Sequence, residues 1–166
     1  MSLDFSTIAI GMPQAVPMVA TLGIVFQEVG PRRTVLLLPD QAPYRNHIGG
    51  PHAGAMFTLA ETATGALVLG HFGDILDQAT PLIVEATVRF LKIARGDVTA
   101  VATMEADPDE LRRQLDAGER PEWNVNVSLT TEQPDGSLLL TGEMTTLWTL
   151  KPVRKPEAPG AETPSV

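Results

Sequence analysis

Cysteine is absent from the 166 residues of this chain. That rules out a disulfide framework, a thiolate nucleophile and a cysteine metal site. Positive charge is scarce too: twelve Lys and Arg stand against twenty Asp and Glu, giving a formal charge of −8. Binding a phosphate backbone draws on clustered cations, and these are few and scattered, so nucleic acid is not an expected partner. An anionic ligand would have to be met by a local patch. No apolar run reaches membrane-spanning length without a charge, because Glu61 and Asp74 interrupt the longest one. The start, MSLDFSTIAIG, lacks the basic residues and long apolar core of a signal peptide. The expectation is a cytoplasmic protein with no membrane partner, built as one domain, since this length suits a single core and crowds two.

What is present concentrates between Asn46 and Glu61, in NHIGGPHAGAMFTLAE. With the following TATGALVLG, this segment predicts a helix from about His52 to His71, ending near Gly70 or Gly73, apolar on nearly every side and so internal. Glu61 lies two to three turns in, too deep to cap the helix start. An ionised carboxylate there is costly unless paired or hydrogen-bonded. Either it reaches solvent through a gap or it has a chemical task. Gly49, Gly50, Pro51, Ala53 and Gly54 leave the backbone N–H groups at the helix start uncovered, and such groups, with the helix dipole, stabilise an oxygen acquiring negative charge. Asn46 offers a side-chain donor to the same place. Carbonyl polarisation beside a carboxylate is the chemistry of acyl transfer or hydrolysis.

The rest of the chain reads from its periodicity. A Pro-marked start around Met12 to Met18 has helical character. Ala20 to Val29 and Arg33 to Leu38 read as strands about a turn at Gly30 and Pro31. After the helix, Pro81 to Ile93 alternates as a long strand, Arg95 to Asp97 turns, and Val98 to Ala106 returns. Asp107 to Gly118 is charged and helix-prone. Glu122 to Glu132 and Ser137 to Lys151 form a hairpin across Gln133 to Gly136. The expected domain is residues 1–151, with 1–19 as an N-terminal extension. Residues 152–166, holding four prolines, form a tail expected to be disordered. Two strands, one buried helix and four strands make an α+β fold in which a long antiparallel sheet wraps a single helix.

This order, joined to the Asn46–Glu61 segment, resembles the hotdog-fold thioesterase superfamily, specifically its phenylacetic-acid-pathway and acyl-CoA thioesterases. The family typically shows an Asn, a Gly three residues on, a His followed by two glycines, and an acidic residue fifteen positions after the Asn. Asn46, Gly49, His52, Gly54 and Glu61 keep that spacing. FLKIARGD, Phe90 to Asp97, is similar to a family segment of aromatic, Leu, basic residue, Pro, Ala and Gly-Asp, with Ile93 in place of the proline. Ala53 stands where the first glycine after the histidine is usual. Apolar Ile83 falls where some members carry a water-orienting Ser or Thr, with Thr80 close by. The pattern is that of a divergent branch.

The resemblance implies a homodimer, in some relatives stacked into a homotetramer, with the site between subunits. Asn46 and the Ala53 N–H of one subunit would polarise a thioester carbonyl, and Glu61 of the other would act as general base or nucleophile. Gly54 would meet the substrate, and His52 would either bond the helix start or position Asn46. Arg89, Lys92 and Arg95 would meet the phosphates of an acyl-CoA, or the partner would be an acyl carrier. No cofactor is implied beyond coenzyme A as part of the substrate, and no metal, because His47, His52 and His71 lack ligand spacing. Tyr44, Trp123 and Trp148 are either acyl-pocket walls or core. Two other functions stay open: a non-catalytic thioester-binding module, and a hydratase or dehydratase pairing His47 with Glu61 fourteen residues on.

Overall fold

The computed structural model describes residues 5–153. The predicted tail therefore lies outside the described residues, apart from Pro152 and Val153. Two N-terminal helices, α1 (Phe5–Ala15) and α2 (Pro17–Thr21), precede strands β1 (Val25–Val29) and β2 (Arg33–Leu38). The long helix α3 (Ala53–Phe72) follows, then β3 (Ala79–Phe90), β4 (Val98–Met104), helix α4 (Pro108–Asp116), β5 (Glu122–Glu132) and β6 (Leu138–Pro152). The six strands form one antiparallel sheet in the order β1-β2-β4-β5-β6-β3. This is the α+β hotdog architecture, with α3 as its filling.

The sheet's inner face is set by strict alternation. Along β5, Trp123, Val125, Val127, Leu129 and Thr131 are buried while Glu122, Asn124 and Asn126 face outward. These side chains meet α3, where Leu59, Ala60, Ala63, Ala66, Leu67, Val68 and Phe72 are fully buried. Alanines, glycines and threonines let the sheet close tightly on the helix, and Thr64 is made compatible with burial by hydrogen bonds to Glu61 O (2.8 Å) and from Trp148 Nε1 (3.3 Å). By length and composition α3 could cross a membrane, yet it lies mostly buried inside its own sheet. At its C-terminal end, Arg112 of α4 bonds His71 O and Asp74 (2.7 Å) and lies over the Phe72 ring. Trp123 packs on the same ring, 5.3 Å between centroids.

Two local expectations need correction. Ala20 and Thr21 are helical rather than extended, because Pro17 opens α2 at its first position and β1 begins only at Val25. The long strand after α3 spans Ala79–Phe90, so Leu91 to Ile93 leave the β3 ladder. The helical start is longer than its Pro-marked core, running from Phe5 and broken at Val16. Along this stretch α1 covers the second half of α3: Met12 sits over Gly65 and Phe5 against Gly70, where a Cβ would meet the Phe5 ring at 2.2 Å. The first turns of α3 are left uncovered by α1.

Candidate functional site

The loop from Asp40 to His52 is folded by its own polar groups. Asn46 Oδ1 accepts from Ile48 N (3.0 Å) and Gly50 N (3.1 Å), while Asn46 Nδ2 donates to Pro51 O (3.2 Å). Asn46 is thus the brace of the turn, and one Nδ2 hydrogen remains beyond those bonds. Gly49 takes a left-handed φ of +76°, open to glycine without strain. Gly50 is buried, and a Cβ on it would lie 2.5 Å from Ala94 O. Residues 94–97 brace this loop from outside: Arg95 Nη1 donates to Ile48 O, and Asp97 Oδ1 accepts from Asp40 N (2.8 Å). The two sequence segments read separately, Asn46–Glu61 and Phe90–Asp97, meet here.

His52 is the N-cap of α3. Its Nδ1 accepts from Gly54 N at 2.9 Å, which leaves the ring proton on Nε2. Of the two readings of this residue, the geometry shows the helix-start bond. Gly54 N–H is consumed by that cap. The N–H groups of Ala53 and Ala55 have no hydrogen-bond partner among the described residues, and Ala53 is exposed.

Glu61 lies on the stripe of α3 shared with Gly54 and Thr58. It is half-buried, and its carboxyl has neither a hydrogen-bond partner nor a cation among the described residues. Burial alone pushes its pKa above the ordinary carboxylate value. His71, at the other end, donates from Nε2 to Pro31 O (2.9 Å), and burial first of all lowers its pKa. His47 is exposed in the loop. Among the described residues no group of three or more His, Asp or Glu converges as a metal site.

The predicted cations divide. Arg95 is brought onto the loop, Lys92 is exposed beyond β3, and Arg89 faces Glu143 across the β3/β6 ladder at 3.4 Å. Trp123 and Trp148 are buried core, whereas Tyr44 borders a cleft of about 430 Å³. That cleft runs between Met18 and Leu22 on one side and His52, Gly54 and Thr58 on the other. Sequence reading missed its α2 wall. The available signal was Pro17: the helical character read around Met12 to Met18 continues through Thr21, where the sequence had already begun a strand at Ala20.

Residues 6–148 match a family model described as a domain of unknown function, DUF4442. The chain belongs to the DUF4442 family. Nothing among the curated proteins matches this DUF4442 chain. Solved structures do. A Pseudomonas aeruginosa protein of unknown function, PA5026, described as a probable thioesterase, is 28% identical, with 92% of this chain and 99% of that one aligned and a TM-score of 0.77. A thioesterase family protein of Silicibacter pomeroyi is 20% identical over 90% and 100% of the two chains, TM-score 0.71. The E. coli PaaI protein, from the phenylacetic acid degradation operon, is 15% identical over 90% and 94%, TM-score 0.66. The DUF4442 chain thus shares the fold of hotdog thioesterase-family proteins, as the spacing of Asn46, His52 and Glu61 led one to expect.

Proposed function

We propose that this chain hydrolyses acyl thioesters, with an acyl-CoA or an acyl-carrier thioester as substrate. The observation that carries the reading is Glu61, a half-buried carboxyl without a partner among the described residues, on an otherwise apolar helix. A carboxyl with a raised pKa, close to apolar surroundings and open on one side, is suited to take a proton from water or to attack a carbonyl itself. At the helix start, the unpaired Ala53 N–H and the second Nδ2 hydrogen of Asn46 are donors for the carbonyl oxygen. Arg89, Lys92 and Arg95 would offer cations to the phosphates of the carrier, and coenzyme A would enter only as part of the substrate.

Helix geometry supports a two-protomer site. At 1.5 Å of rise per residue, Glu61 lies about 12 Å along the axis from Ala53, too far for both to serve one carbonyl carbon. A second copy would bring its own Glu61 to the helix start of the first. Strand β3 supports such pairing: it is an edge of the sheet, with Leu82, Val84 and Phe90 exposed along it. The cytoplasm is the compartment that fits a carrier-bound acyl group.

Thiol release from a panel of acyl-CoA substrates tests the reading. Glu61→Ala should lower turnover by roughly a hundredfold or more while leaving the fold and assembly intact. A variant as fast as the parent would remove Glu61 from the mechanism. Binding without any thiol release by the parent would leave the non-catalytic module as the function.

A further inference from the structure

The cleft beside the helix start joins His52, Gly54 and Tyr44, which the sequence had put forward, to Met18, Thr21 and Leu22, which it had not. We propose that it is the acyl-chain subsite, and that α2 makes the N-terminal extension a determinant of chain length. This deepens the thioester reading and rests on it.

Three observations carry the proposal. The first is continuity: the cleft is lined by His52, Gly54 and Ala55, the residues flanking the free Ala53 N–H, so a group attached to a carbonyl held there has this volume next to it. The second is the state of the polar lining. Tyr44 donates its hydroxyl to Thr21 O (2.5 Å), Thr21 to Pro17 O (2.9 Å) and Thr58 to Gly54 O (3.0 Å), while His52 Nδ1 is held by Gly54 N. Arg45 grips Asp40 with Nε and Nη2 (2.9 and 2.6 Å). The side-chain donors left are His52 Nε2–H and the remaining Arg45 N–H groups, beside the Ala55 N–H at the helix start. A pantetheine arm carries two amides whose oxygens would go unsatisfied along most of this wall, whereas a hydrocarbon chain loses nothing there. The third is Met18, which is 55% exposed over the cleft, an adaptable apolar side chain that nothing in the described chain covers. At about 430 Å³ the space falls in the range of small-molecule pockets and suits a medium-length chain.

The test narrows or widens the cleft from its α2 wall. Met18 is exposed, so Met18→Trp and Met18→Ala should both fold, as a thermal melt would verify. Relative to the parent, Met18→Trp is expected to lower kcat/KM for hexanoyl-CoA and decanoyl-CoA by about tenfold or more, with acetyl-CoA changed by less than about twofold; Met18→Ala should shift preference toward the longer chain. Calorimetry with S-decyl-CoA, a thioether that cannot be hydrolysed, gives a readout independent of turnover. Met18→Trp should weaken it by a similar factor and leave free coenzyme A unaffected. A parent that releases no thiol but binds S-decyl-CoA in this Met18-dependent way would sink the hydrolase reading and keep the subsite. An unchanged chain-length profile and unchanged S-decyl-CoA affinity in folded Met18→Trp overturn the subsite, as does an equal loss for free coenzyme A, which would assign the cleft to the pantetheine arm.

Discussion

At the scale of single residues, Glu61 ties stability to protonation. Its folded pKa is raised by burial, so folding favours the neutral carboxyl. The associated stability is fully present below the unfolded value and is lost as pH rises through the folded one. Well above the ordinary carboxylate value, folding must therefore either bury that charge or take up a proton, a cost that Gln avoids. Glu61→Gln is expected to melt higher than the parent at pH 8, with the gap shrinking as pH falls toward the ordinary carboxyl value; His71, whose lowered pKa acts with the opposite sign, is common to both chains and cancels in the difference. Parallel melts across that pH range check it, and a gap constant with pH would contradict the burial of this charge. Glu61 was legible in the sequence because a lone acid in an apolar helix breaks the pattern. The work of Asn46 within its own loop was not, since side chain to backbone bonds depend on a path that residue spacing leaves undefined.

At the scale of elements, the loop before α3 owes its shape to contact with residues 94–97. Gly50 has no room for a methyl group against Ala94 O, and that oxygen belongs to backbone that must itself move. Gly50→Ala is expected to cost about 1–3 kcal/mol, and each kcal/mol lowers Tm by roughly 2–4 °C in a chain of this size. A melt equal to the parent's would mean the loop is free of that backstop. Helix α3 was readable almost to the residue, because twenty positions of sustained apolarity ended by Gly73 admit one interpretation. The stretch before β1 was not: a short apolar run suits helix and strand alike, and only Pro17 tipped it.

At the scale of the whole molecule, six strands and one buried helix were countable in the chain, and their wrapping followed from a helix apolar on all sides. Strand order was hidden, because pairing between distant segments leaves no local mark; β3 joins β6 rather than its predecessor in sequence. The uncovered edge at β3 predicts assembly. In solution the chain is expected at about twice its 17.8 kDa by light scattering. Val84→Lys with Thr87→Lys, which place charge on that edge, should shift it toward one chain and abolish turnover although Glu61 and Ala53 are untouched. A fully active single chain would refute the shared site.

The pairing of β3 with β6, from Ala79 against Pro152 to Phe90 against Gly142, also sets a timetable for synthesis. A ribosome delivers α3 and β3 well before the segment that will hold β3 in the sheet exists, and the greasy helix waits half-dressed while roughly fifty further residues emerge. Folding is thus deferred until Leu138–Pro152 clears the exit tunnel, and a stop codon only a few positions upstream of that segment leaves the nascent protein to chaperones and proteases.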